Sequence, residues 1–264
     1  MNTDIRIDDD FQLDVAEGTQ FRTLFVRVAN REEARQSTAP SASELRVRAV
    51  RGEVAAQVGW AQCLLNGIGA ERDAEAAFRW LCIAGRSGDT DAMNMVGRCY
   101  EHGWGVASDV AEAALWYRRA ADKGHHWGEF NLANLYAEGA GVPHDPAKAL
   151  TLLVRAARRG NAKAMNMIGR YREGSDVPRR RSRSAALWTR WAADRGCFRG
   201  QFHHGRFLVQ DGRIDDGIRV LRLSLMQAPQ QFRREALEML RAHTHPTLRE
   251  LAEEYAAGER ETAT

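Results

Sequence analysis

The chain has 264 residues, 44% of them hydrophobic and 28% charged, with a formal net charge of +3, which is ordinary for a protein that buries a real core. No apolar run approaches the roughly 18 residues of a membrane helix. The acidic start, Met1 to Asp14, leads into no apolar core segment, so export by the usual secretory route is not expected. The four cysteines, Cys63, Cys82, Cys99 and Cys197, form no Cys-x-x-Cys pair; they read as reduced core residues of a cytoplasmic protein rather than a zinc ribbon or disulfide framework.

The modest net charge hides two opposite fields. Residues 1–20 hold six acidic residues against Arg6, a net of −5, whereas 155–206 hold 14 Lys or Arg against Glu173, Asp176 and Asp194, a net of +11. Ile5, Ile7, Phe11, Leu13 and Val15 alternate in strand fashion, and Ser37, Pro40, Ser41 and Ser43 mark a linker. Residues 1–40 are therefore expected to be an extended or partly disordered acidic arm, either lying in or near the basic half of the binding groove and competing there with an acidic partner, or serving only as a solubilising tail.

From there the sequence repeats. Gly52, Gly88, Gly124, Gly160 and Gly196 are 36 residues apart, as are Ala84, Ala120, Ala156, Ala192 and Ala228, and the small residues Ala61, Gly97, Ala133, Gly169 and Gly205. Trp80, Trp116 and Trp188 keep the same period with Leu152 in the gap, which makes them packing residues rather than a stacking platform. Gly67/Gly69, Gly103/Gly105 and Gly139/Gly141 are each followed by an aspartate, Asp73, Asp109 or Asp145. Each unit reads as two helices: the glycine pair ends the first, the aspartate N-caps the second, and Pro146 sits in a first turn that tolerates it. The small column lets the two helices approach closely.

Ala92…Val96-Gly97…Tyr100…Gly103-Trp104-Gly105-Val106…Asp109…Ala113…Trp116-Tyr117…Ala120-Ala121…Gly124 resembles a Sel-1-like repeat, a relative of the tetratricopeptide repeat, and Leu132-Ala133…Tyr136…Gly139-Ala140-Gly141-Val142…Asp145…Lys148-Ala149…Ala156-Ala157…Gly160 matches similarly. The resemblance implies an all-α, right-handed superhelical solenoid. Five 36-residue repeats are expected at about 53–88, 89–124, 125–160, 161–196 and 197–232, within a solenoid spanning 41–232. Residues 233–264 are expected to supply C-terminal capping helices and a tail, and 41–51 a truncated helix at the other end. Secreted members of the family carry a cysteine pair in each repeat, which this chain lacks.

No nucleophile elbow, phosphate loop or dinucleotide pattern occurs, so no catalytic residue and no cofactor is expected. Neighbouring helix positions point about 100° apart, so His203 and His204 cannot easily share an ion; with His243 and His245 they read as ordinary histidines, and no metal site is expected. Arg179, Arg180, Arg181 and Arg183 form a basic patch, read as a solvated loop with an acidic protein or nucleic acid as possible contacts; the chain holds 35 Arg and 3 Lys in all. A solenoid binds along the wall built by successive first helices. One polar stripe repeats there: Asn94 and Arg98, Asn166 and Arg170, with Asn134 and Arg206 in the Arg98 column. Asparagine bonds both donor and acceptor of an extended backbone and arginine clamps carboxylates, which predicts a protein or peptide ligand of acidic character. The leading expectation is a bacterial, cytoplasmic, non-catalytic interaction scaffold. The alternatives are a nucleic-acid-associated protein using 155–206, a secreted interaction protein, and an enzyme hidden in the non-repeat ends.

Overall fold

The computed structural model describes residues 40–171 and 179–261. All but the last residue of the expected N-terminal arm lies outside them. The described residues form thirteen α-helices and no strand: α1 Ala42–Val50, α2 Val54–Asn66, α3 Ala74–Arg86, α4 Thr90–His102, α5 Val110–Asp122, α6 His126–Glu138, α7 Pro146–Arg158, α8 Ala162–Tyr171, α9 Arg179–Asp194, α10 Phe198–Gln210, α11 Ile214–Gln227, α12 Gln230–Arg241 and α13 Pro246–Glu261. Helices α2 to α11 are five successive pairs, an all-helical repeat solenoid. Gly52, Gly88, Gly124, Gly160 and Gly196 lie between helices with positive φ.

Helix starts are set by side chains that satisfy orphan N–H groups, each worth about 1 kcal/mol. Asp73 accepts from the amide of Ala76 at 2.8 Å, and Asp109 from those of Ala111 and Glu112 at 3.0 Å. The first helices have their own capping column one repeat apart. Asp89 accepts from Ala92 N at 2.7 Å, His125 Nδ1 from Gly128 N at 3.1 Å, and Asn161 from Ala164 N at 2.9 Å. Ser41 and Glu44 close a reciprocal capping box on α1.

The described residues form two compact units, one within 40–123 and 135–146, the other within 124–134 and 147–261. In the first, Leu45, Trp60, Leu64, Leu65, Leu81, Val96 and Cys99 make a core built on buried alanines at 56, 61, 77, 84 and 92. Gly97 lies on the ring of Tyr117, where a Cβ would come within 2.6 Å of two ring carbons. The small column is thus a helix-to-helix contact, repeated in the second unit by Gly169 on Thr189 and Gly205 on Leu221. There Phe202, Leu221, Leu225, Phe232, Leu240 and Leu248 pack α12 and α13 onto the last helix pair. Phe232 stands edge-on to Phe198 and Phe202 at 5.0 and 5.6 Å, a geometry that aromatic quadrupoles favour.

One expectation is corrected. The arginine run is not a solvated loop: Arg179, Arg180, Arg181 and Arg183 form the start of α9, and Arg183 is exposed. Arginine is a good helix former, and its propensity prevails here over the unfavourable placement of cations at a helix N-terminus.

Candidate functional site

The polar stripe falls on first helices, as the repeat dictates: Asn94 and Arg98 on α4 in the first unit, and Asn134 on α6, Asn166 and Arg170 on α8 and Arg206 on α10 in the second. Its environment differs from a solvated helix face. Asn94 and Asn166 are only 7% and 4% exposed. Asn134, Arg98, Arg170 and Arg206 are half-buried.

In the first unit Arg98 is already engaged. Its guanidinium lies 5.0 Å from the centre of the Trp104 ring, and Trp104 also meets the His102 ring at 4.7 Å. Burial lowers the Arg98 pKa, partly offset by nearby Tyr117 and Glu101. The Tyr117 hydroxyl donates to Glu101.

In the second unit several acceptors stand without donors. Asn134 Oδ1, Asn166 Oδ1 and Gln201 Oε1 are buried oxygens on the first helices of three consecutive repeats, and no donor reaches them among the described residues. Folding normally avoids this, because an unsatisfied buried acceptor costs about 1–3 kcal/mol. Arg206 is drawn over the Phe202 ring at 5.9 Å.

Sequence reasoning missed the strongest charge feature of this unit. Glu129 on α6 is 0% exposed, and its Oε1 lies 2.9 Å from Arg155 and 3.2 Å from Arg159, both on or next to the end of α7. These are close ion pairs in which the N–H directions miss the oxygens, so neither carboxylate oxygen receives an aligned hydrogen bond. The available signal was a carboxylate in a column otherwise held by Gln57, Met93, Met165 and Gln201.

Much of the positive charge of residues 155–206 is likewise committed internally. Besides Arg155 and Arg159, Arg199 lies over the rings of Phe198 and Phe232, Arg195 donates to the Trp191 carbonyl, and Arg190 is 3.9 Å from Asp194. A hollow of about 210 Å³ beside them is lined by Arg190, His204, Leu208 and Arg213, with Asp216 paired to both Arg213 and Arg219.

His203 is buried and His204 half-buried, and no group of three or more potential metal ligands occurs among the described residues. The cysteines are free. Burial pushes the Cys99 thiol up to about 12 and raises those of Cys63, Cys82 and Cys197. None is poised as a thiolate nucleophile. No described helix is long and apolar enough to cross a membrane.

This architecture defines an all-helical repeat protein built of successive helix pairs. The Sel1 repeat model matches residues 54–89, 90–125, 128–161 and 162–197, just over half of the chain, and the chain belongs to the Sel1 repeat family. The fifth helix pair, α10 and α11, has the hairpin without the match. Sel1 repeat proteins are in general protein–protein interaction scaffolds. No curated protein matches the chain. Among solved structures it is similar to a Sel1 repeat protein from Oxalobacter formigenes, with TM-score 0.66 and 25% identity over 75% of this chain and 58% of that one. It is also similar to c5321, a protective antigen of uropathogenic Escherichia coli with an SLR fold, with TM-score 0.61 and 25% identity over 81% and 47%. The immunity protein Pa5087 of Pseudomonas aeruginosa shares the fold alone, with TM-score 0.52 and 17% identity over 78% and 80%. The chain spans about half the length of the first two.

Proposed function

We propose that the chain is a bacterial cytoplasmic scaffold that holds an extended, acidic peptide segment of a partner protein against the first helices of its second unit. The observation that carries this reading is the set of donor-less buried oxygens of Asn134, Asn166 and Gln201. An extended peptide presents N–H donors along its length and would relieve that deficit once these amide side chains turn outward to meet it. Arg170 and Arg206, in the Arg98 column and half-buried, supply the partners for acidic side chains. The free thiols, Cys99 buried and the other three half-buried, are consistent with a reducing compartment. Nucleic acid is the weaker reading, since the internal commitment of Arg155, Arg159, Arg195 and Arg199 leaves fewer cations for phosphates.

The test is an array of immobilised extended peptides graded in acidity, probed with the purified full-length chain in the presence and absence of competitor DNA. Selection of acidic peptides that competitor DNA does not displace supports the proposal. Binding to nucleic acid alone, with affinity falling steeply as salt rises, contradicts it.

A further inference from the structure

The outer end of the first repeat is unfinished. A groove of about 600 Å³ lies between α1 and the start of the solenoid, lined by Arg46, Val47, Val50, Arg51, Trp60 and Ala70. Val47 is 51% exposed, Val50 70% and nearby Ile68 59%. Terminal repeats ordinarily show a polar outer face, because an apolar one invites association. Helix α1 is seated at its start, where Ala42 meets the Gly67-to-Gly69 turn: a Cβ on Gly69 would come within 2.7 Å of its methyl. The charges at the rim are also uncompensated. Arg48 is paired with Glu53, whereas Arg46 and Arg51 are exposed and have no carboxylate partner among the described residues.

We propose that this groove is the docking site of the chain's own segment 8–15, Asp-Asp-Asp-Phe-Gln-Leu-Asp-Val. Extended, the segment places Phe11, Leu13 and Val15 on one face and Asp10, Gln12 and Asp14 on the other. The apolar face matches Val47, Val50 and Trp60, and the aspartates match Arg46 and Arg51. The other apolar stretch of the arm, 21–28, carries Arg22 and Arg27 and no acid, so the rim repels it. Reach is not limiting: residues 16–39 span up to about 80 Å when extended, and Pro40 directly precedes the capped start of α1. Tethering raises the effective concentration to the millimolar range, enough for a weak contact to close the groove. The arm then finishes the repeat stack at its amino end, independently of any ligand in the second unit, and does not lie on the basic segment 155–206.

The experiment places the photoreactive residue p-benzoylphenylalanine at position 11 of the full-length chain and maps the cross-links by mass spectrometry. The expected product is intramolecular, with attachment in 43–51 or 60–70 and a yield independent of protein concentration. Val47→Asp with Val50→Asp, both exposed positions, should abolish it. Arg46→Glu with Arg51→Glu should lower it roughly fivefold or more, and Asp10→Lys with Asp14→Lys in the same chain should restore it. Attachment in 155–206, attachment to a second copy of the chain, no cross-link, or a yield indifferent to Val47→Asp/Val50→Asp would each overturn the proposal.

Discussion

Gly105 rests on the main chain of Ala74 in the preceding repeat, so closely that a Cβ would stand 2.0 Å from the Ala74 carbonyl oxygen. Gly103, two residues earlier, has the same left-handed backbone, φ 72° against 70°, but ordinary room for a side chain. The two glycines of the turn therefore serve different ends, the first terminating a helix and the second seating one repeat on the next. Gly141 repeats the contact on Val110. Gly103→Ala should cost only the left-handed penalty, about 1–2 kcal/mol. Gly105→Ala should add an overpacking cost of about 1–3 kcal/mol, and thermal unfolding of the two variants should separate accordingly. Equal melting temperatures would remove the seating role.

Gly97 and Tyr117 make the corresponding contact within a repeat. The ring is fully buried and its hydroxyl is held by Glu101, so it cannot turn aside to admit a side chain. Gly97→Leu should destabilise by about 1–3 kcal/mol or more, while Gly97→Ala combined with Tyr117→Leu should recover part of the loss. A single Gly97→Leu variant that melts with the wild type would contradict the contact.

The buried carboxylate of Glu129 gives opposite outcomes for two substitutions. Glu129→Met installs the residue that holds the column at positions 93 and 165 and leaves two half-exposed arginines to water. It should be neutral or stabilising, by up to about 1–4 kcal/mol. Arg155→Met with Arg159→Met strands a fully buried charge and should cost about 3–5 kcal/mol. Denaturant midpoints measured side by side read the difference, and a loss of stability in Glu129→Met would show that the cluster is worth more than its desolvation.

Alkali should unfold the first unit through two buried acids. Burial pushes Cys99 from 9.0 up to about 12. Burial, with the neighbouring Glu101 carboxylate, holds Tyr117 well above the usual 10.0. Both folded pKa values are raised, so the unfolded chain releases these protons first. The Cys99 contribution is complete below about pH 9 and is lost as pH rises through 9–12, while that of Tyr117 begins to be lost only above about pH 10, each with a slope of up to about 1.4 kcal/mol per pH unit. Cys99→Ala should flatten the early part of the decline, between pH 9 and 10, in urea titrations. An unchanged profile would place the titration elsewhere.

The repeat was legible because its signals are enforced locally. A helix must end where Gly88 or Gly124 takes positive φ, and Asp73 and Asp109 cap whatever follows them. The role of Gly105 was not, since the sequence explains the glycine as a terminator and is silent about the backbone one repeat away. Asn94 and Asn166 keep helical spacing, yet spacing cannot distinguish a face open to solvent from one covered by the next repeat, and burial is what changes their meaning. Glu129 escaped notice because its partners lie 26 and 30 residues downstream. The arginine run was misplaced because the fourth repeat lacks the glycine pair that marks the turn elsewhere.

The central claim is that the second unit supplies acceptors to the N–H groups of an extended peptide. The most direct measurement is calorimetric titration of an acidic peptide selected on the array, compared with the same peptide N-methylated at alternate residues, which removes donors and leaves the side-chain charges. The account predicts that one N-methyl register weakens binding about tenfold or more, that Asn166→Ala with Asn134→Ala abolishes this discrimination, and that Arg170→Ala with Arg206→Ala weakens both peptides alike. Equal affinity of the parent and both N-methylated registers for the wild-type chain would contradict it.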